Sequence, residues 1–439
     1  MNTQTNRLDA ILQRFVALNS GVRQRDESWY TAMGTTVGGS EVAALLGCNP
    51  YSNIHDVVAS KVALLQGRDT WAGGGAPCWW GILFEDLAAT YTEIELGGTV
   101  RGDEICVQRY PGHRNSPDGY IVAHSCPSAG GEPLDLWTTD KDPSAACHPR
   151  IFLLEFKCPL SRRPDGGVPK QYLPQLWSGL AVSPVAHAGL FVDVVFRKCA
   201  LADLGPSPEY DREYHRRGPE YGAAVAWGLI GIYAPALDAP RWARIGKPAR
   251  DSGLPPADLA TDAWRMRVEA AAAGAVLAPE LEEAIMPAGT KAPAKTKAAN
   301  VIELGSAAGP LFDRALDAVN RRHFSCHRLT PCLADGRGLD LHTEAAVHAA
   351  IASLARAAPP HCQLLGVLPW KIFEVSFVPV SRRPTFMEEV GPLIEEVHRR
   401  VQEALATPDP EAHLRTLRRA AARPKSGVSA DEALAMMYS

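Results

Sequence analysis

The sequence predicts an α/β (α+β) fold in which a central mixed β-sheet is flanked by helices and carries large insertions. Three observations predict it. Segments with apolar residues at helical spacing alternate with short apolar runs bounded by turn residues. Two of those runs, Ala188–Phe196 and PWKIFEVSFVPV over 369–380, have strand length and strand composition. Between them, residues 236–300 turn rich in Ala, Pro and Lys, and APELEEAIMPAGTKAPAKTKAAN reads as a flexible linker rather than core.

Each element follows from local chemistry. Residues 8–19 place Leu8, Ile11, Leu12, Phe15 and Leu18 at helical spacing. In TTVGGSEVAALLGCNPY, a Gly-Gly turn precedes Ser40, the expected N-cap of a short helix through Leu46, which Gly47 and Pro50 end. A second helix is expected from Trp79 to Glu95. Strands are expected over Ile105–Tyr110, Pro117–Ala123 and Arg150–Lys157, with the polar stretch His124–Pro149 as a long hairpin insertion. A helix from Lys170 to Val182 leads into the strand Ala188–Phe196. After the 369–380 strand, Phe386, Val390, Ile394 and Val397 form the apolar stripe of a long amphipathic helix. The stretch Arg415–Lys425 is basic.

The bulk composition sets limits. At 439 residues and 46% hydrophobic content, the chain suffices for two domains or for one enlarged by insertions. A net charge of −4 gives no global nucleic-acid signal, although an acidic metal site inside a locally basic channel is compatible with it. No apolar run is long enough for a membrane span, and the first residues lack a signal-peptide core. The 10 cysteines show no disulfide framework, so a soluble intracellular protein with free thiols is expected. His323, Cys326, His327 and Cys332 lie close together, but their spacing does not match a zinc finger.

Four segments carry chemistry together. In Ile151-Phe152-Leu153-Leu154-Glu155-Phe156-Lys157, strand periodicity puts Glu155 and Lys157 on one face and Phe152, Leu154 and Phe156 on the other. A carboxylate there can hold a divalent cation, and the neighbouring ammonium can orient or deprotonate an attacking water. Ser116-Pro117-Asp118-Gly119 starts the preceding strand, 155 − 118 = 37 positions earlier, and the hairpin insertion accounts for the gap. This order, a Pro-Asp followed by Glu-x-Lys, is the signature of the restriction-endonuclease-like core. In WWGILFEDLAA, Glu85 sits among Gly81, Ile82, Ala88 and Ala89, an apolar face where a carboxylate needs a metal, a cation or donors; Asp86 has a similar setting, and periodicity does not choose between them. On the next helix, Gln171, Tyr172, Gln175 and Ser178 form a polar face opposite Leu173, Leu176, Trp177 and Leu180.

With these strings in order, the chain resembles the group of phage lambda exonuclease, herpesvirus alkaline nuclease and the YqaJ-type viral recombinases. VGGSEVAALLGCNPY, WWGILFEDLAA, SPDG, LLEFKCP and YLPQLW carry the resemblance over roughly residues 29–235, and it resumes at LPWKIFEVSFVPV to about residue 405. It implies a nuclease core in two parts, 1–235 and 363–405. Between them lies an insertion over 236–362 with its linker near 270–300, and a basic tail over 406–439 follows. It implies a Mg²⁺-dependent DNA exonuclease, with Mn²⁺ as the alternative ion, acting 5′ to 3′ on linear duplex in viral or phage recombination, repair or genome processing. Asp118, Glu155, Glu85 and the Phe156 carbonyl would serve the metal, Lys157 the nucleophilic water, and Gln175 the catalytic cluster. Ser40, Tyr172, Arg162, Arg163 and Lys170 would contact DNA.

The implied partners are double-stranded DNA ends and a single-strand annealing protein, without a membrane, in a viral factory, host cytoplasm or nucleus. An RNase or endonuclease of the same fold, or a non-catalytic DNA-binding scaffold, are the competing readings. One departure stands out. The family's phosphate-gripping arginine between the leading tryptophan and the GGS turn is absent here, where Trp29 is followed by Tyr30-Thr31-Ala32-Met33. A strict preference for a 5′-phosphate then requires Arg114, Arg162 or Arg163 as a substitute.

Overall fold

The computed structural model describes residues 3–22, 27–68, 76–126, 135–136, 148–160, 162–199, 201–207, 222–235, 325–358 and 362–421, and elements are numbered among these. The first part of the chain is helical. Helices α1 (Thr3–Leu18) and α2 (Glu27–Thr35) lead to the two-residue strand β1 (Val37–Gly38), followed by α3 (Gly39–Leu45), α4 (Ile54–Leu65) and α5 (Ala76–Leu96). The cap of α3 differs from expectation. Gly38, not Ser40, is the N-cap, in an extended conformation (φ −80°, ψ 154°), and no side chain caps the helix. The Glu41 carboxylate instead accepts the Gly38 N–H at 2.7 Å. Ser40 therefore sits inside the first turn, exposed, with its hydroxyl not used as a cap.

Strands β2 (Val107–Tyr110) and β3 (His113–Asn115) join β1 in a small sheet of order β1-β3-β2, with β1 and β3 parallel. The chain then enters an eight-stranded mixed sheet. Its first members are β4 (Gly119–Cys126), β5 (Asp135–Leu136) and β6 (His148–Lys157), followed by α6 (Leu173–Val182) and β7 (Ala188–Lys198). Beyond these come β8 (Ala226–Pro235), β9 (Ser325–Arg328), β10 (Cys332–Leu333), α7 (Glu344–Arg356) and β11 (Cys362–Val380). The strand order is β10-β8-β11-β7-β6-β4-β5, with β9 paired to β8. Strands β4 and β6 are antiparallel, β5 pairs with β4 inside the expected 124–149 hairpin, and residues 127–134 and 137–147 of that hairpin lie outside the described residues. Strands β6 and β7 are parallel, as their α6 crossover requires. Helix α6 starts three residues later than expected because Pro169 precedes it and Pro174 occupies its first turn.

The two faces of the sheet bury different helices. On one face Phe152, Leu154 and Phe156 of β6 meet Trp80, Leu83, Phe84 and Leu87 of α5. Phe84 stacks on Phe196 at 4.4 Å between ring centroids, so Phe84→Ala would cost about 3–5 kcal/mol of stability. On the other face Ile151 and Leu153 lie under α6 and helix α8 (Phe386–Leu405), whose buried stripe is Phe386, Val390, Ile394, Val397 and Val401. Glu155 and Lys157 fall on this second face by strand alternation, at the end of the sheet's central parallel pair.

Within the 236–362 stretch, β9, β10 and α7 are built onto the sheet's edge, where Val347, Ile351 and Leu354 pack on Leu364 and Val367. The linker over 270–300 lies outside the described residues. Helix α9 (Pro410–Ala421) occupies the start of the 406–439 tail. Among the described residues, no helix is long and apolar enough to cross a membrane, and Cys48, Cys106, Cys158, Cys199, Cys326 and Cys332 form no disulfide.

Candidate active site

Four elements converge on Asp118. It closes the loop before β4, where Gly119 takes φ +154° and where a Cβ would fall 2.6 Å from Val100, so glycine is required. The Asp118 carboxylate accepts the Phe156 N–H at 2.7 Å and is thereby pinned to the end of β6. On either side of Phe156 stand Glu155, 2% exposed, and Lys157. The Lys157 ammonium donates to the Glu155 carboxylate and, at 2.9 Å, to the Phe156 carbonyl. It also lies 5.1 Å from the centre of the Tyr172 ring, which itself stacks on Phe191 at 5.6 Å.

The electrostatics of this cluster are one-sided. Burial, reinforced by the Asp118 charge, pushes the Glu155 carboxyl well above the usual carboxylate range, against the pull of Lys157. Burial alone would lower Lys157, but Glu155 and Asp118 outweigh it and hold the ammonium protonated. Beside Lys157 on β7 stands Asp193, 1% exposed, raised by burial and countered by a two-armed pair with Arg162. Arg163 is paired with Glu374 of β11, while Lys170 is exposed on the way into α6.

Asp118 is shared by two cavities. The larger, about 310 Å³, opens toward α5 and is lined by Glu85, Asp86, Glu93, Asp103, Glu104 and Phe156. The two α5 carboxylates that periodicity left undecided differ here: Asp86 is two-thirds exposed and paired with Arg328 at 2.6 Å, whereas Glu85 is half-buried. Among the described residues, no three His, Cys, Asp or Glu side chains converge into a complete metal cage. The donor set nevertheless suits Mg²⁺, which is held by one or two carboxylates and completes its shell with water and substrate phosphate. A buried carboxylate pushed toward neutrality beside Asp118 is the kind of group that a divalent ion would return to its ionised form.

The smaller cavity, about 170 Å³, lies on the α3 side of Asp118, with Ser40, Arg114, Asn115, Ser116 and Gln175 in its wall. Arg114 is 5% exposed. Its guanidinium lies 4.9 Å from the centre of the Trp29 ring, its Nε has no hydrogen-bond partner, and no carboxylate pairs with it among the described residues. The turn before α3 is held from behind by Lys61, 1% exposed, which donates to the Met33 and Thr36 carbonyls at 3.1 and 2.6 Å and to Glu41 at 2.8 Å. Met33 is not part of the cavity wall. Local sequence offered one signal for Arg114, its position four residues before Asp118, and none for Lys61, Asp193 or the contacts of Asn115.

Comparison with known proteins places part of the chain beside a viral family. Residues 28–186 match the YqaJ-like viral recombinase domain. A protein from a Vero-adapted strain of African swine fever virus is 34% identical over 227 residues, covering 50% of this chain and 64% of that protein. Its counterpart from a Malawi tick isolate is 35% identical over the same shares. The chain thus spans a little under two thirds of the length of these relatives. Among solved structures, an alkaline exonuclease from Laribacter hongkongensis aligns at 19% identity and TM-score 0.26, over 38% of this chain and 73% of that one.

Proposed function

We propose that this chain, whose residues 28–186 form a YqaJ-like viral recombinase domain, is a metal-dependent DNA exonuclease. It digests linear duplex from the 5′ end in viral or phage recombination, repair or genome processing. The observation that carries the reading is that Asp118 forms a wall of both an acidic and a cationic cavity. End-directed hydrolysis needs both surroundings, cations at the scissile phosphate and an anion seat for the terminal one.

Asp118, Glu155, Glu85 and the Phe156 carbonyl would hold Mg²⁺ or Mn²⁺, which when bound polarises the phosphate and lowers the pKa of a coordinated water. The chain's own groups do the remainder. Lys157, kept cationic by Glu155 and Asp118 and seated on Tyr172, orients the attacking water and offsets charge growing on the phosphate oxygens. In this protonated state it is a hydrogen-bond donor, and a general base only after losing that proton.

Arg114 takes the place of the family's arginine between Trp29 and Ser40. Its guanidinium makes charge-assisted bonds to a terminal phosphate, with the Ser40 hydroxyl and the Gln175 amide beside it. Lys170, together with Arg162 and Arg163 at the mouth of the same loop, tracks the DNA backbone and makes binding salt-sensitive.

The deciding experiment uses linear and covalently closed duplexes in Mg²⁺ and in EDTA, with the linear substrate labelled at one end. The expected result is Mg²⁺-dependent loss of nucleotides from 5′ ends, with closed circles intact. Nicked circles would favour the endonuclease reading, and no cleavage in any divalent ion would favour a scaffold.

A further inference from the structure

Beneath the Arg114 cavity runs a buried polar chain that phosphodiester chemistry does not use. His113, Asn115 and Ser178 are at most 3% exposed. The direction of their hydrogen bonds follows by elimination. A carbonyl only accepts, so His113 Nδ1, 3.0 Å from the Val37 oxygen, carries the ring proton. Burial and the neighbouring Arg114 keep the imidazole neutral, with its pKa lowered to about 4, so Nε2 is bare. The Ser178 hydroxyl, 2.9 Å away, therefore donates to Nε2 and leaves its lone pairs to accept from Asn115 Nδ2 at 3.2 Å. The chain runs one way, from Asn115 through Ser178 and His113 to Val37.

Both ends of this chain reach parts of the cavity wall. The Val37 carbonyl leads directly into Gly38–Ser40, and the β1–β3 pairing sets Gly38 beside Arg114. The Asn115 amide fills a slot made by two glycines. A Cβ on Gly39 would fall 1.9 Å from its Nδ2, and one on Gly179 would fall 3.2 Å from its Oδ1. Asn115 Nδ2 also approaches the Gln175 carbonyl at 3.4 Å. One side chain thus clamps the start of α3 against the turn of α6 that carries Gln175, and it stands next to Arg114 in the sequence.

We propose that Asn115 is a positioning residue of the terminal-phosphate cavity. It locks the Gly38–Ser40 turn, Arg114 and Gln175 into one wall, its amide oriented by the Ser178–His113–Val37 chain, and so sets how strongly phosphorylated ends are preferred. The inference rests on the reading of that cavity as a phosphate seat.

The test measures affinity for 5′-phosphorylated and 5′-hydroxyl duplexes by fluorescence anisotropy in Ca²⁺, and initial rates on both in Mg²⁺. The variants are Ser178→Ala, Asn115→Ala, Ser178→Thr and Arg114→Met. Ser178→Ala and Asn115→Ala should each cut the discrimination between the two ends about tenfold, the effect of losing one well-placed hydrogen bond. For Ser178→Ala the loss should appear as a higher KM on phosphorylated ends, with kcat within about threefold of wild type. Ser178→Thr, which keeps the hydroxyl, should retain the discrimination. A merely structural defect would weaken both ends alike and would not be rescued by threonine. If Arg114→Met abolishes discrimination while Ser178→Ala and Asn115→Ala keep it, the positioning role is overturned and the phosphate seat stands. If Arg114→Met also keeps it, the seat itself is wrong and the inference falls with it.

Discussion

The cavity on the α5 side of Asp118 and the cavity on its α3 side differ in charge, size and support. The α5 cavity is the larger and is lined by several carboxylates. Its helix is held by apolar packing of Trp80, Leu83, Phe84 and Leu87, so its charges are displayed by a face whose opposite side does the folding. The α3 cavity holds one deeply buried guanidinium, which lies against the Trp29 ring and donates to the Cys106 sulfur at 3.9 Å, while a hydrogen-bonded chain runs through its sequence neighbours His113 and Asn115. Carboxylates facing open solvent are screened, whereas a buried cation without a counter-ion is costly until an anion arrives. The contrast matches the proposed division of labour, with cations on one side, an anion on the other and Asp118 in the wall of both.

The comparison breaks most sharply at the shared end of β6. Glu155→Gln keeps size and hydrogen bonding but removes the charge proposed to hold the metal, so cleavage should fall roughly a thousandfold or more while duplex affinity stays within about threefold. Single-turnover cleavage and anisotropy check it. Residual activity within about threefold of wild type, which is roughly 0.65 kcal/mol of barrier, would make Glu155 a structural strand residue.

A second cut separates the two α5 carboxylates. Glu85→Gln should lower kcat about ten- to a hundredfold, because it withdraws charge from the cavity that Asp118 shares. Asp86→Asn should stay within about threefold, since it removes only an exposed ion pair with Arg328. Equal effects would mean that α5 supplies general negative potential rather than a placed ligand.

The cationic side is tested by Arg114→Met, which should reduce the ratio of initial rates on 5′-phosphorylated and 5′-hydroxyl duplexes about tenfold or more. Met33→Arg should not restore it, because Met33 is outside the cavity wall. A preference unaffected by Arg114→Met but lost in Arg162→Met or Arg163→Met would move the anchor to the loop after β6.

What was legible in the sequence is what local chemistry decides. LLEFK reads as a strand with two faces because alternation has period two, and SPDG reads as a turn; their joint placement follows from strand order. Glu85 and Asp86 were indistinguishable because the residue that separates them, Arg328, comes from an edge strand far along the chain. The α3 cap falls two residues before Ser40 because Gly38 is the extended residue and the Glu41 carboxylate, not a serine hydroxyl, closes the first turn. Arg162 and Arg163 pair with Asp193 and Glu374 in the fold, partners no local pattern reveals. The His113–Ser178 contact spans 65 positions and leaves no trace in either segment.

That contact also gives an effect of a different kind, one of stability rather than rate. His113 has its pKa lowered from 6.5 to about 4 by burial and by Arg114. The unfolded chain therefore binds a proton between those values that the folded chain does not. Its contribution is fully present above pH 6.5 and is lost as pH falls toward 4, amounting to about 3 kcal/mol at most. Urea unfolding in EDTA should show stability falling between pH 7 and pH 5, and His113→Gln should flatten that slope while lowering stability at pH 7. The variant lowers stability because glutamine cannot both donate to Val37 and accept from Ser178 in the imidazole's geometry. An unchanged slope in His113→Gln would show that other groups carry the acid sensitivity. The cationic cavity would then owe its shape to the α3–α6 packing alone, with the polar chain beneath it a passenger.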